Sequence, residues 1–162
     1  MKHIISLLLL LVGYVVAEGN SSGTHNISFA TTEGTWMSVD MSPNGKTIAF
    51  DLLGHIYLLP ISGGKARAIT NGTSWNMFPR FSPDGNTILF TSDRSGSDDL
   101  WTQDLSSGEM KNISGMKFPV HQGTWSNDSR HVFGTALNMK VRHPVYMFNM
   151  YGEKQEILPA GA

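Results

Sequence analysis

Cysteine is absent from the 162 residues. Disulfides, thiolate metal sites and cysteine nucleophiles are therefore excluded. There is no excess of either charge, with 12 Lys+Arg against 13 Asp+Glu, so no electrostatic field favours nucleic acid or an anionic membrane surface. Charged residues are sparse while Gly, Ser, Thr and Asn are plentiful. That balance suits many short strands joined by turns and does not suit long helices. Metal-ligand spacing is missing too. His3, His25, His55, His121, His131 and His143 form neither His-x-His nor His-Glu-x-x-His. No Gly-x-Ser-x-Gly stands near a usable base, so a serine hydrolase has no support. No cofactor is implied in this chain.

The one long apolar run is N-terminal. Met1-Lys2-His3 is a short positive start, and Ile4 to Val16 follows without charge. The run is short of the ~20 residues a spanning helix needs. Val15-Val16-Ala17 offers small or compact residues where a signal peptidase reads, so 1–17 reads as a signal peptide cleaved near Ala17. The expected product is exported, secreted or periplasmic, with no stable membrane span. Residues 18–32, with Asn20-Ser21-Ser22-Gly23, have no apolar period and read as a flexible leader. Sequons stand at Asn20, Asn26, Asn71, Asn112 and Asn127. In a eukaryotic secretory pathway these are candidate glycan acceptors; a bacterial source would leave them mostly unused.

Residues 33–162 are organised by repetition. Ser82-Pro83-Asp84-Gly85 separates Asn76–Phe81 from Thr87–Phe90, each with strand character. Pro83 presets φ and Gly85 accepts the positive φ of a tight turn. Leu100–Leu105 and Met110–Ile113 follow as a third and fourth strand. An earlier copy has strands over Trp36–Met41, Thr47–Phe50, His55–Leu59 and Ala66–Ile69, with Pro43 and Gly45 in its turn. A worn third copy has Ser126-Asn127-Asp128-Ser129 where that turn belongs, without Pro or Gly, then Val145–Met150 and Gln155–Leu158. Gly64, Gly108 and Gly152 are spaced forty-four residues apart.

Four short antiparallel strands per forty-odd residues make the blade of a β-propeller. The expected fold is all-β, with about three blades over 34–70, 74–114 and 118–158. A ring closes with about four to eight blades, so the expectation is a partial propeller. It reads as the N-terminal piece of a longer protein, or else as one part of a ring built from two or more copies.

The repeat also resembles a known family. Ser82-Pro83-Asp84-Gly85, Thr91-Ser92-Asp93-Arg94-Ser95-Gly96 and Leu100-Trp101 look like the TolB-type propeller repeat, a relative of WD repeats. Gly34-Thr35-Trp36-Met37-Ser38-Val39-Asp40, with Phe50-Asp51-Leu52-Leu53-Gly54-His55-Ile56-Tyr57, resembles the first blades of exported amidohydrolase-family proteins. Those carry such a propeller before a metal-dependent hydrolase domain. The resemblance covers residues 33–115 well and 116–158 poorly. It implies a non-catalytic scaffold or interaction module whose partner is another protein or a downstream hydrolase domain, with any C–N bond hydrolysis confined to the full-length product. The alternative it implies is a TolB-like periplasmic propeller that binds proteins. One fold hosts many functions, so the repeat marks fold more strongly than activity.

Three polar residues are the candidate site. Asp93 and Arg94 sit in the connection of the most regular blade, and Asp51 stands at what reads as the equivalent position in the first. Each either touches a ligand near the channel or orders its own loop through backbone hydrogen bonds. Asp98 and Asp99 are adjacent, and adjacent strand residues point to opposite faces, which argues against a joint acid/base role. Trp36 and Trp75, at first-strand starts, are expected near the channel; Trp101 and Tyr57, sharing one repeat position, are expected to pack between blades.

Overall fold

The computed structural model describes residues 31, 33–137 and 143–159. The expected signal peptide, the expected leader apart from Thr31, and the sequon residues Asn20 and Asn26 lie outside the described residues. The chain divides into units Met1–Thr32 and Glu33–Ala162, and every strand lies in the second. No described residue is helical, and no described helix is long and apolar enough to cross a membrane.

The strands are β1 (Val39–Met41), β2 (Thr47–Leu52), β3 (His55–Pro60), β4 (Arg67–Ala68), β5 (Asn76–Phe81), β6 (Thr87–Ser92), β7 (Asp99–Asp104), β8 (Met110–Asn112), β9 (Val120–Trp125), β10 (His131–Ala136), β11 (Val145–Asn149) and β12 (Lys154–Leu158). They form three separate four-stranded antiparallel sheets, β1–β4, β5–β8 and β9–β12, each in sequence order. These are three blades that do not close on themselves. The first strands of the second and third blades each pack on the blade before: β5 lies against β1, β2 and β3, and β9 lies against β5, β6 and β7.

The turn between first and second strands repeats atom for atom. Ser42 N–H donates to Thr47 O at 2.8 Å and Gly45 N–H to Ser42 O at 2.8 Å; Ser82, Thr87 and Gly85 repeat both bonds at 2.8 Å. Gly45 and Gly85 take φ of 69° and 77°. In the worn copy Ser126 N–H donates to His131 O and Ser129 N–H to Ser126 O. Ser129, at φ 57°, takes the left-handed place of the glycine. Asp128 accepts the Arg130 N–H, as Asn44 and Asp84 accept those of Lys46 and Asn86, and it also accepts the His131 N–H. The missing Pro and Gly therefore do not mean a missing turn.

Two expectations are corrected. The first strand begins at Val39, not Trp36, because Trp36 adopts φ 60° and lies fully in solvent. The even spacing of Gly64 and Gly108 conceals an insertion: the loop Leu53–Gly54 becomes Asp93–Asp98 in the second blade. Counted from Ser42 and Ser82, Asp51 and Asp93 are out of register by two residues, since Asp51 lies inside β2 and Asp93 just past the end of β6.

The core consists of two seams. Ala49, Ile56 and Leu58 of the first blade meet Phe81, Ile88 and Phe90 of the second. Leu89, Leu100 and Ile113 of the second meet Val120, Val132, Ala136 and Phe148 of the third. The middle blade is covered on both faces, and so β6 is buried at every residue from Ile88 to Ser92, while burial alternates along β2 and β10. Trp101 joins the first seam, whereas Tyr57 stacks on Phe50 at a 5.5 Å centroid distance on the uncovered face of blade 1. The second seam is tight at Gly134, where an added Cβ would come within 2.7 Å of Leu100 Cδ1 and 2.8 Å of Val120 Cγ1. Gly134→Ala is expected to cost about 1–3 kcal/mol through overpacking, read as a lower urea midpoint with an unchanged m-value.

Candidate functional site

The first strands of the three blades converge on a cleft of about 430 Å³ lined by Ser38, Phe78, Arg80, Gln122, Gly123 and Thr124. Each blade contributes at one register: Phe78 and Gln122 are forty-four residues apart, as are Arg80 and Thr124. Phe78 and Gln122 share an unusual backbone, with φ of 58° and 51°. Both sit where the pairing of first and second strand slips, between Met77 and Arg80 and again opposite Phe133–Thr135. A non-glycine residue at positive φ costs about 1–3 kcal/mol and persists only where its surroundings impose it. A bulge also re-aims side chains and leaves backbone groups unpaired. Here the lining is held by strain in two blades at once.

A carboxylate holds the bulge at Phe78. Asp51 is buried and accepts the N–H of Ser38 at 2.9 Å and that of Phe78 at 2.7 Å. One side chain so ties its own blade's entry to the next blade's bulge. Asp40 adds a second tie, accepting the Phe81 N–H at 2.7 Å. From the third blade, Trp125 Nε1 donates to Arg80 O at 3.2 Å. Arg80 itself donates Nη1 to the carbonyls of Pro79 (2.9 Å) and Val39 (3.4 Å). No carboxylate of the described residues lies within 4.0 Å of it. The cleft thus presents a cation whose charge is not neutralised locally.

Asp93 and Arg94 do not line the cleft. Asp93 Oδ1 accepts the Trp75 N–H at 2.8 Å, and Asp93 N–H returns a bond to Trp75 O at 3.4 Å. Asp51 and Ser38 exchange the same two bonds, so the device recurs two positions further along. Arg94 lies 5.4 Å from the Phe90 ring and 5.0 Å from the Trp101 ring. It donates to Asn76 Oδ1 at 2.7 Å and Ser92 Oγ at 3.1 Å. Burial holds its pKa below the usual arginine value despite the neighbouring Asp93. Of the sequence candidates only Asp51 touches the cleft's lining. Phe78, Arg80 and Gln122 went unselected because nothing in their residue types announces a left-handed backbone; the forty-four-residue spacing was the available signal. Trp36 and Trp75 are both exposed and neither lines the cleft. Trp75 covers Gly54 instead, 3.0 Å from where a Cβ would stand.

The remaining polar clusters lie away from the cleft. Asp98 and Asp99 diverge. Asp98 contacts His121 Nε2 at 2.9 Å across the second seam, while Asp99 is buried. Asn71 and Asn127 are exposed; Asn112 is half-buried, donates Nδ2 to Asp99 and accepts the Gly115 N–H. No group of three His, Cys, Asp or Glu side chains among the described residues is placed to hold a metal ion.

Three blades, their shared turn and the inner-strand cleft agree with a family comparison: the profile of the TolB beta propeller domain matches residues 16–162. The chain belongs to the TolB beta propeller family. Over 58 residues this TolB-like propeller is 40% identical to the Tol-Pal system protein TolB of Bordetella pertussis, covering 35% of the chain and 13% of that protein. Over 118 residues it is 26% identical to dipeptidyl-peptidase 5 of Porphyromonas gingivalis, covering 68% of the chain and 16% of that protein. A TolB-like structure from Agrobacterium tumefaciens superposes with TM-score 0.69 at 22% identity, over 77% of this chain and 50% of that one. At that identity the superposition speaks for fold alone. The chain spans half or less of each of these proteins.

Proposed function

We propose that this TolB-like propeller is an exported interaction module, without catalysis of its own, that binds a protein partner through the cleft between its inner strands. The observation that carries the reading is the cleft's lining: three blades supply it, two left-handed non-glycine residues shape it, and Arg80 stands in it with no carboxylate of the described residues within 4.0 Å. Such a lining suits an extended acidic polypeptide segment, whose carboxylate would meet Arg80 while its backbone faces the bulges. The likeness to a Tol-Pal system protein favours an envelope partner and supports the sequence expectation of export.

A photo-crosslinking residue placed at Gln122 tests this. It should capture a discrete partner from envelope extract, and Arg80→Ala should reduce that capture about tenfold, as loss of a charge-assisted hydrogen bond implies. The same crosslinker at exposed Lys65 should capture nothing comparable. Equal capture from both positions, or indifference to Arg80→Ala, would count against the cleft as the binding site. A second reading, a propeller serving a downstream hydrolase domain, has its own support. The dipeptidyl-peptidase 5 match covers more of the chain than the TolB match does. The amidohydrolase form of that reading rests on the Gly34–Tyr57 resemblance.

A further inference from the structure

Two carboxylates tie the first seam together at its inner edge, and the second seam has neither. Asp51 accepts the Phe78 N–H and Asp40 that of Phe81, both at 2.7 Å, so blade 1 holds the inner strand of blade 2 by two acceptors. The strand register makes Arg80 the counterpart of Asp40 and Thr91 that of Asp51. Asp40 pairs with Ala49 and Arg80 with Leu89, while Asp51 pairs with Ile56 and Thr91 with Leu100. In blade 3 the counterparts of Phe78 and Phe81 are Gln122 and Trp125. Blade 2 therefore offers blade 3 a guanidinium and a hydroxyl where blade 1 offers blade 2 two carboxylates. No side chain among the described residues accepts the backbone N–H of Gln122 or Trp125.

The hydroxyl is itself unpaired. Thr91 is 1% exposed, and its Oγ1 has no hydrogen-bond partner among the described residues. Native proteins rarely leave a buried polar group so. Thr91 shares a face of β6 with Leu89, which packs on blade 3, so the hydroxyl belongs to the second seam. Gln122 lines the cleft together with Arg80, and its side-chain amide makes no hydrogen bond among the described residues either.

We propose that a carboxylate of the bound segment enters this notch between β6 and β9, in the place that Asp40 and Asp51 hold in the first seam. The proposal rests on the cleft being the binding site, and it fixes which group of the partner the cleft reads. Arg80 and the Gln122 amide meet the carboxylate at the wall of the cleft. Thr91 Oγ1 is closed to solvent, so its bond forms as the Gln122 bulge gives way. Unlike the bulge at Phe78, that one has no carboxylate latch. The partner thus supplies from outside the tie that blade 1 supplies from within the chain.

Peptide titration of the full chain, followed by amide NMR shifts, tests the proposal. An amidated peptide alternating glycine and glutamate should shift the Thr91 and Gln122 amides. It should bind about tenfold tighter than its amidated glutamine counterpart, the gain of a charge-assisted over a neutral hydrogen bond. The glutamine peptide with a free C-terminus separates the two sources of carboxylate: affinity regained there assigns the notch to a chain end rather than a side chain. Thr91→Asp puts a carboxylate of the chain's own in the notch and should erase the preference, with Arg80 still in place. Thr91→Val drops the hydroxyl at nearly the same shape and should cut the preference about threefold, a readout that stands even where the aspartate variant does not fold. Equal binding of all three peptides, binding of none, or a preference unchanged in both variants overturns the proposal. Photo-crosslinking from Gln122 keeps the two readings apart. If the parent captures a partner and Thr91→Asp captures it equally well, the cleft stands and the notch falls; if the parent captures nothing, the cleft itself falls.

Discussion

Asp51→Ala should lower the unfolding free energy by about 2–4 kcal/mol, because it removes a buried carboxylate and leaves two half-buried backbone N–H groups, in adjacent blades, without their acceptor. The carboxylate is 7% exposed and bonds Ser38 in its own blade and Phe78 in the next. Alanine offers nothing in return. Asp51→Asn is no rescue: a single amide oxygen can serve one N–H, while the NH₂ group is turned against the other. Asp93→Ala supplies the internal comparison. Asp93 forms the same bond pair with Trp75 in an exposed loop. Its loss should cost under about 1 kcal/mol, since solvent can take over. Urea midpoints at constant m separate the cases. Equal losses for the two aspartates would remove the bridging role assigned to Asp51.

The same substitution has a consequence at the cleft. Phe78 is held at φ 58° with its N–H on Asp51. Without that acceptor nothing described here repays a phenylalanine for a left-handed backbone. The bulge should relax, and capture through Gln122 should fall along with stability even where the protein stays folded. Arg80→Ala, by contrast, should reduce capture with little loss of stability, as its bonds to Val39 and Pro79 reach carbonyls at the edge of the cleft.

Local chemistry made the fold legible. Ser-Pro-Asp-Gly carries its own turn geometry, and Asn76–Phe81 reads as a strand with the bounds that β5 has in the structure. What was not legible is imposed from a distance. The bulge at Phe78 depends on a carboxylate twenty-seven residues earlier, in another blade. The turn at Ser129 lacks Pro and Gly but keeps the side-chain acceptor of the other two copies, with Asp128 standing where Asn44 and Asp84 do. Arg94 looks in sequence like a loop cation available to a ligand; Phe90, Trp101, Asn76 and Ser92 surround it instead. Asp51 and Asp93 look equivalent in a list of motifs, and only the strand register separates them: Asp51 lies within β2 opposite Ile56, whereas Asp93 follows the end of β6. Sequence pattern finds elements; it cannot say which side chain supplies the missing partner of another blade's backbone.

Asp99→Ala is the second large loss expected, about 3 kcal/mol, and it should carry a pH signature. The carboxylate accepts Ser95 Oγ at 2.6 Å, Ser114 Oγ at 2.7 Å, Asn112 Nδ2 at 2.9 Å and, longer, Met116 N at 3.4 Å. Ser114 in turn accepts the Leu100 N–H, just as Thr70 accepts that of Ile56 in the first blade. The network therefore pins the fourth strand's exit to the third strand's start, beside the second seam. Burial by itself would raise the Asp99 pKa, but the four donors outweigh it and hold the carboxyl below its ordinary value. A carboxyl depressed in the folded state contributes stability that is full above its unfolded pKa of about 3.9 and is lost as pH falls through the folded value. The parent protein should thus lose stability below about pH 4 more steeply than Asp99→Asn, which cannot titrate there. Urea midpoints between about pH 2 and 6 read the difference. Parallel acid limbs for the two proteins would mean that the carboxylate is not what locks Ser95, Asn112 and Ser114 together, and that their mutual packing holds the corner without it.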